Sequence, residues 1–177
     1  MTELPAHVDI RDVSLRDGLQ IEAPIPLSAK LELLAAVAAT GVREMEATAF
    51  VSPSKVPALA DAAELAAELH NFTGIEFSAL VASTNGAKRA IAAGLGSIEY
   101  VVSAADGHSR ANVGRSTAEA IAQIPEIVAI AHDSGASVEV IIATAWDCPF
   151  DGPTPPQRVV GHDLPSSLLR AGDRIRD

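Results

Sequence analysis

The chain has 177 residues, one cysteine and a formal net charge of −10 at pH 7. This length is enough for one domain with a buried core, and a single cysteine excludes a disulfide within the chain. The negative charge argues against a nucleic-acid partner, which needs a basic face, but a few local cations can still bind a small anionic substrate.

Strand and helix patterns alternate along the chain. Apolar and β-branched runs predict five strands, at 7–13, 42–47, 75–81, 97–103 and 137–143. Helical spacing predicts four helices, at 30–39, 57–70, 85–93 and 116–134. Ser28 is the expected N-cap of the first helix, and Pro125 is expected to kink or restart the last one. This order predicts a parallel α/β sheet with right-handed crossovers.

The number of repeats leaves two architectures open. A complete TIM barrel has eight strand–helix units and about 250 residues, whereas the pattern here gives about five units. The chain therefore forms either an open sheet of the flavodoxin type or the front part of a barrel.

The most informative motif, LRDGLQ at 15–20, follows the first predicted strand. Barrel and sheet enzymes carry their chemistry at the carboxyl ends of parallel strands. Asp17 can hold a hard divalent cation through its oxygens, and Arg16 can stabilise negative charge that develops on a substrate oxygen. From the local pattern alone, an adjacent arginine and aspartate are more often only a solvated ion pair.

Two more motifs follow in order, EATAFVSP at 46–53 and CPFDG at 148–152. Together with LRDGLQ they resemble the metal-dependent TIM-barrel superfamily of lyases and condensing enzymes. The Leu-Gln ending is similar to its 3-hydroxy-3-methylglutaryl-CoA lyase branch. The resemblance covers about residues 8–157 and favours a partial TIM barrel, with a lyase domain at 1–157 and a divergent tail at 158–177.

The tail does not follow the family pattern. Gly161 and Pro165 interrupt any helix that begins at Pro156, a short helix fits 166–175, and no hydrophobic strand follows. We therefore expect a reading frame that ends early or is shifted after about residue 158.

The resemblance implies an acyl-CoA lyase that cleaves 3-hydroxy-3-methylglutaryl-CoA to acetyl-CoA and acetoacetate. By analogy Asp17 is the metal ligand, Arg16 holds the carbonyl oxygen that becomes an enolate, and Glu46 fixes this arginine. Glu46 is expected to stay ionised beside a metal and an arginine, while Glu44 lies deeper and fits no motif position.

The implied cofactor is Mg²⁺ or Mn²⁺, which the family holds with one aspartate and a His-x-His strand. No His-x-His occurs in the chain, because its histidines are isolated at 7, 70, 108, 132 and 162. A hard cation bound by one carboxylate keeps most of its water ligands, so low metal affinity is expected.

Four residues are predicted to contact the substrate. Gln20 resembles a substrate-contacting glutamine of the family, and Phe50 begins a stiff loop over the mouth. Ser83 follows the third strand, where the family match is loose. Cys148 lines the pocket or is a small buried hydrophobe, because the reactive cysteine of the family lies in a later loop that does not occur here.

The loop after the fourth strand carries weaker candidates. His108 and Asn112 are polar residues on the expected active-site side, although a lone loop histidine is more often solvated. Arg110 and Arg115 are expected to attract the phosphates of an acyl-CoA.

Two other functions stay open. One is a related aldolase or condensing enzyme of the same superfamily. The other is a non-catalytic half-barrel module, because an unfinished barrel exposes a strand edge and uncovered helix faces. We expect a homo-oligomer or self-association through this open edge, and little or no activity from the chain alone.

The N-terminus and the hydropathy pattern bear on location. Residues 1–5 form no basic or long apolar run typical of a secretory signal. No apolar stretch reaches the roughly 18 residues of a membrane span. We therefore expect a cytoplasmic protein without a membrane partner.

Overall fold

The computed structural model describes residues 6–160 and 173–176. The strands are β1 (Arg11–Asp12), β2 (Glu44–Phe50), β3 (Glu76–Val81), β4 (Ser97–Ser103), β5 (Ser137–Ala143), β6 (Asp147–Cys148), β7 (Gly152–Pro153) and β8 (Arg174–Arg176). The helices are α1 (Leu27–Ala38), α2 (Ala62–Glu68), α3 (Thr84–Ala92), α4 (Asp106–Val113), α5 (Thr117–Ile121), α6 (Ile124–Asp133) and α7 (Pro156–Val160). Short helical turns lie at Ser14–Gly18, Pro57–Leu59 and Leu69–Asn71.

The main sheet is parallel and follows chain order. Its strands are arranged β1-β2-β3-β4-β5-β8, and β6 pairs with β7 in a separate antiparallel hairpin. The first five strands form a curled half-barrel with helices between them, which confirms the predicted partial TIM barrel. The flavodoxin type is excluded, because its strand order is 2-1-3-4-5.

The hydrophobic core lies between the strands and the surrounding helices. Side chains alternate between the two faces of a strand, so one set packs on the helices and the other faces the barrel interior. The strand residues in the core are Met45, Ala47, Phe50, Ala79, Val81, Ile98, Tyr100, Val102, Val138, Val140 and Ile142. The interior set includes the buried polar residues Glu46, Ser78, Glu99 and Glu139.

Several element boundaries differ from the predicted ones. Ser28 lies inside α1, which begins after Pro26, so the expected N-cap is wrong. Pro125 restarts the predicted 116–134 helix, which is divided into α5 and α6. Helix α4 was not predicted, because Gly107, Ser109 and its other polar residues are weak helix formers.

The C-terminal part also differs from its prediction. Strand β8 pairs in parallel with β5, and its residues 174 and 175 overlap the end of the short helix expected at 166–175. Its sequence, RIR, lacks the apolar run that would predict a strand. Residues 161–172, which include the expected interruption at Gly161 and Pro165, lie outside the described residues.

Within the described ranges, no helix combines the length and the apolar character needed to cross a bilayer.

Candidate active site

Arg16 and Asp17 lie in a single π-helical turn, Ser14–Gly18, just after β1. The backbone N–H groups of Arg16, Asp17 and Gly18 all donate to Val13 O, at 3.2, 2.8 and 3.3 Å. Leu15 is completely buried and anchors the turn in the core. The turn therefore fixes two charged side chains at the carboxyl end of the first strand, where the sequence predicted them.

The Arg16 guanidinium is held between two carboxylates. Its Nη2 lies 2.6 Å from Glu46 Oε2, and its Nη1 donates to Asp17 Oδ1 at 2.7 Å. The Glu46 side chain is 1% exposed and that of Asp17 is 62% exposed. The structure thus brings together the three residues predicted for the chemistry, and their roles stay predictions.

Glu46 does not behave as the permanently ionised carboxylate that was expected. Burial raises the pKa of Glu46 to about 7, although the hydrogen bond from Arg16 lowers it. Glu99 adds to the rise as a like charge and as a hydrogen-bonding partner. Burial and Glu99 together therefore outweigh Arg16, and Glu46 titrates near neutral pH.

A cleft of about 700 Å³ opens beside this turn. Its walls come from residues of β3, β4 and β5 and from the segments that follow the strands. Its charged members are Arg16, Asp17, Lys55 and Arg115. Arg115 Nη1 donates to Ala82 O at 3.0 Å, which fixes this guanidinium at the wall. Cations thus outnumber carboxylates along the cleft, although the chain has a net charge of −10. Such a wall favours an anionic ligand.

Two of the four predicted substrate-contacting residues line the cleft. Gln20 and Ser83 are both part of its wall. Ser83 Oγ also accepts a hydrogen bond from Gly86 N at 3.2 Å and caps α3. Only part of the Ser83 hydrogen-bonding capacity is therefore available to a ligand.

Phe50 is buried in the core and is not among the residues that line the cleft. A β-bulge between Glu46 and Thr48 shifts the alternation of β2 by one residue. Phe50 consequently pairs with Val81 on the core face, where the Arg89 guanidinium lies 5.5 Å from its ring centroid. Phe50 was predicted to lie over the mouth, and the structure places it in the core because of this bulge.

Cys148 is buried and is likewise not among the cleft-lining residues. Its Sγ accepts a hydrogen bond from Asp151 N at 3.4 Å, within the β6–β7 hairpin. This placement fits the alternative of a small buried hydrophobe rather than a pocket wall.

Of the candidates in the loop after the fourth predicted strand, some line the cleft and one does not. His108 and Asn112 line the cleft, and His108 Nδ1 lies 2.7 Å from Ser103 Oγ. Arg110 does not line it but pairs with Asp106 at 3.4 Å on the exposed side of α4.

Below the mouth, Arg11 joins three carboxylates inside the half-barrel. It donates to Glu99 at 2.7 Å, to Glu139 at 3.0 and 3.1 Å, and to Glu44 at 3.2 and 3.3 Å. Glu99 also accepts from Ser78 Oγ at 2.5 Å. Glu44 thus lies away from the mouth, as expected.

Glu99 and Glu139 are absent from the predicted site, although the sequence carried a signal for them. Each is a glutamate at the third position of an otherwise apolar strand, in SIEYVVS and SVEVIIA. Buried glutamates are rare unless they are paired, so such a position indicates an interior charge network.

The described residues alone do not fit a complete divalent-metal site. Among them, no group of three or more His, Cys, Asp and Glu residues could hold a metal ion. Asp17 supplies one carboxylate, which Arg16 already contacts. A hard cation needs six or more oxygen ligands, so the metal-binding role of Asp17 stays a prediction.

Comparisons with known proteins identify a family for most of the chain. The HMGL-like family model matches residues 7–153. The chain is 32% identical over 160 residues to the cytoplasmic 3-hydroxy-3-methylglutaryl-CoA lyase of Rattus norvegicus, covering 90% of the chain and 47% of that protein. It is 37% identical over 163 residues to the (R)-citramalyl-CoA lyase of Chloroflexus aurantiacus, covering 86% of the chain and 51% of that protein.

A solved HMG-CoA lyase from Acinetobacter baumannii, in complex with coenzyme A and 3-methylmalate, has a similar fold. Its TM-score is 0.87 at 29% identity, and the match covers 99% of this chain and 58% of that one. The chain therefore spans about half the length of the curated relatives it matches.

Proposed function

The chain belongs to the HMGL-like family, and we propose that it forms the front half of an acyl-CoA lyase site. The proposed reaction is the cleavage of 3-hydroxy-3-methylglutaryl-CoA to acetyl-CoA and acetoacetate. The observation that carries the proposal is the Arg16–Glu46 pair at the wall of a cation-rich cleft. The lyase names of the relatives support the class of reaction.

Arg16 suits the charge that develops during this cleavage. A base takes the proton of the C3 hydroxyl, whose oxygen becomes the ketone of acetoacetate as the bond between C2 and C3 breaks. The electron pair of that bond moves to the thioester carbonyl oxygen, and C2 of the enolate then takes up a proton to give acetyl-CoA. The resulting enolate oxygen needs fixed donors, which a planar guanidinium supplies. Because Glu46 and Asp17 already orient Arg16, little reorganisation is needed at the moment of reaction.

The other cations of the cleft suit the remaining charges of the substrate. Lys55 and Arg115 lie along the same wall as Arg16. We assign to them the substrate carboxylate or the phosphates of coenzyme A. Arg110 lies outside the wall and is left out of the proposed site.

Asp17 is the residue that would hold Mg²⁺ or Mn²⁺ in this proposal. One carboxylate binds such a cation weakly, because most of the ligand shell stays water. We therefore propose that the chain alone binds acyl-CoA but turns it over slowly or not at all. A cytoplasmic location is proposed by analogy with the rat relative, which is named cytoplasmic.

Calorimetric titration of the purified chain with 3-hydroxy-3-methylglutaryl-CoA and Mn²⁺, with acetoacetate measured in parallel, tests this proposal. We expect saturable binding with little product. Arg16→Ala should weaken binding about tenfold or more, since hydrogen bonds to charged groups contribute about 1.5–3 kcal/mol. Arg110→Ala is the matched control and should bind as the parent does. Absence of saturable binding would overturn the proposal.

A citramalyl-CoA lyase is the second candidate, because the chain is more similar to that relative, at 37% against 32% identity. The same titration with citramalyl-CoA, with pyruvate as the assayed product, separates the two substrates. The tighter ligand identifies the substrate class.

Self-association is proposed at the β1 edge of the half-barrel. Val8 and Ile10 are exposed beside this edge, and exposed apolar edges promote pairing between chains. Light scattering should give a mass above that of one chain, which Val8→Lys combined with Ile10→Lys should lower. A monomer at all concentrations would contradict this part.

A further inference from the structure

Two buried glutamates meet inside the half-barrel below the cleft. Glu46 in β2 is 1% exposed and Glu99 in β4 is 2% exposed. Glu99 acts on Glu46 both as a like charge and as a hydrogen-bonding partner. An ionised carboxylate only accepts hydrogen bonds, so two carboxylates can bond to each other only when one carries a proton.

The oxygen atoms of Glu46 show where this proton is needed. Its Oε2 pairs with Arg16 at 2.6 Å. Its Oε1 is buried, and no donor among the described residues reaches it. A buried acceptor without a donor is unfavourable by the full cost of its desolvation. A proton on Oε1 removes this cost, because the oxygen then becomes a donor.

The surroundings of Glu99 favour its charged form. Its Oε1 accepts from Arg11 Nη1 at 2.7 Å and from Ser78 Oγ at 2.5 Å. Hydrogen bonds to a carboxylate stabilise the ionised state. Of the two glutamates, Glu46 is therefore the one that keeps the proton.

The charged groups around Glu46 and Glu99 also favour one proton on this pair. Arg16 faces it from the turn after β1, and Arg11 faces it from β1 itself. Arg11 is already shared with Glu139 of β5 and Glu44 of β2. Arg174 adds a contact to Glu44 at 3.4 Å. Glu46 and Glu99 are like charges in one buried interior, and burial of such a pair favours uptake of one proton.

We propose that Glu46 and Glu99 share one proton, carried on Glu46 Oε1 and donated to Glu99, and that Glu99 is a positioning residue of the candidate site. A neutral Glu46 still accepts the Arg16 hydrogen bond through Oε2, but it no longer cancels the charge of Arg16. The guanidinium then keeps its positive charge for a substrate oxygen. This catalytic consequence rests on the proposed lyase function, whereas the shared proton does not.

Infrared spectroscopy of the purified 177-residue chain tests the shared proton without any turnover, because protonated and ionised carboxyl groups absorb at different frequencies. We expect one carboxylic-acid band at pH 6 that disappears as the pH rises through about 7. Glu46→Gln should remove this band. Glu99→Gln should move its midpoint down by about one pH unit or more, since the like charge is lost.

Glu139→Gln is the matched control, because it removes another carboxylate from the same Arg11 in the adjacent strand. It should move the midpoint less than Glu99→Gln does. A folded chain without the band at pH 6, or an unchanged midpoint in Glu99→Gln, would overturn the proposal.

A second test, of folding stability, uses Glu46→Gln and therefore does not depend on whether Glu99→Gln folds. Glutamine at position 46 mimics the protonated glutamate, because its amide donates through nitrogen and accepts through oxygen. Glu46→Gln should therefore unfold in urea at about the same midpoint as the parent chain at pH 4.5, and at a higher midpoint at pH 8. A lower midpoint at both pH values would contradict the shared proton. Failure of lyase activity would affect none of these readouts.

Discussion

Arg16 Nη2 and Glu46 Oε2 lie 2.6 Å apart and join the turn after β1 to the interior of β2. On its other side Arg16 donates to Asp17, whose side chain reaches solvent. The guanidinium therefore bridges a buried and an exposed carboxylate at the wall of the cleft. This bridge turns two motifs that are thirty residues apart in sequence into one site.

Arg16→Lys should weaken acyl-CoA binding although the charge is kept. A lysine ammonium lacks the planar fork that contacts Glu46 and Asp17 in two directions, so it loses one of these partners. We expect a loss of about 1.5–3 kcal/mol in binding free energy, the usual value of a hydrogen bond to a charged group. Calorimetric titration measures it, with Arg110→Lys as control. Equal affinities of Arg16→Lys and the parent chain would contradict a role for the guanidinium geometry.

The folding stability of the chain should depend on the protonation of Glu46. Its pKa is about 7 in the folded chain and 4.5 in the unfolded one, so the folded state holds a proton that the unfolded state releases. The contribution of Glu46 is thus fully present below about pH 4.5 and is lost as the pH rises to 7. The shift corresponds to about 3 kcal/mol.

Urea denaturation of the parent chain and of Glu46→Gln between pH 4.5 and 8 isolates this effect. The free energy of unfolding of the parent should fall relative to that of the variant across this range. Parallel curves for the two proteins would show that Glu46 does not titrate differently in the folded state.

Much of the architecture could be predicted, because β4 and β5 are rich in β-branched and other apolar residues and match their predicted ranges. The bulge in β2 could not, since no residue type marks the position where the register shifts. Helix α4 was missed because its polar residues favour loops in isolation. In the fold, Asp106 accepts from Thr117 N, and Asp151 accepts from Gly107 N.

The candidate site could likewise be predicted only where its contacts follow from local sequence patterns. Arg16 and Asp17 belong to one short motif and Glu46 to the next, so their approach could be expected from the pairing of consecutive parallel strands. The influence of Glu99 on Glu46 depends instead on β3 lying between β2 and β4 in a curled sheet. Local patterns do not contain that curvature.

Gly107→Ala should destabilise the contact between α4 and the CPFDG segment. A Cβ at this position would lie 2.3 Å from Asp151 Oδ1 and 2.8 Å from Phe150 Cβ. Overpacking of this kind costs about 1–3 kcal/mol. Gly96→Ala is the control, because no atom lies within 4 Å of its added Cβ.

Thermal unfolding followed by fluorescence reports this change, because the single tryptophan, Trp146, lies next to the β6–β7 hairpin. The Gly107 variant should melt at a lower temperature and the Gly96 variant at that of the parent. Equal melting temperatures for both variants would contradict the close approach of Gly107 and Asp151.

Lys30→Met should destabilise the fold although the side-chain volume is kept. Lys30 is 1% exposed, donates to Ala58 O at 2.5 Å and pairs with Asp61. Methionine leaves this carbonyl without its donor, which costs about 1–3 kcal/mol. Lys88→Met is the control, because its pair with Glu126 at 3.5 Å is largely exposed and contributes little. Urea denaturation should separate the two variants, and equal losses would contradict a structural role for the buried pair.

A chimera tests the lyase assignment most directly. Residues 7–153 would replace the matching segment of the Acinetobacter baumannii lyase, whose fold they share at a TM-score of 0.87. We expect the folded chimera to release acetoacetate from 3-hydroxy-3-methylglutaryl-CoA, and its Arg16→Ala form to be slower by about 10²–10³, the usual loss for a fixed charge-stabilising donor. A folded chimera that is no faster than its Arg16→Ala form would contradict the assignment.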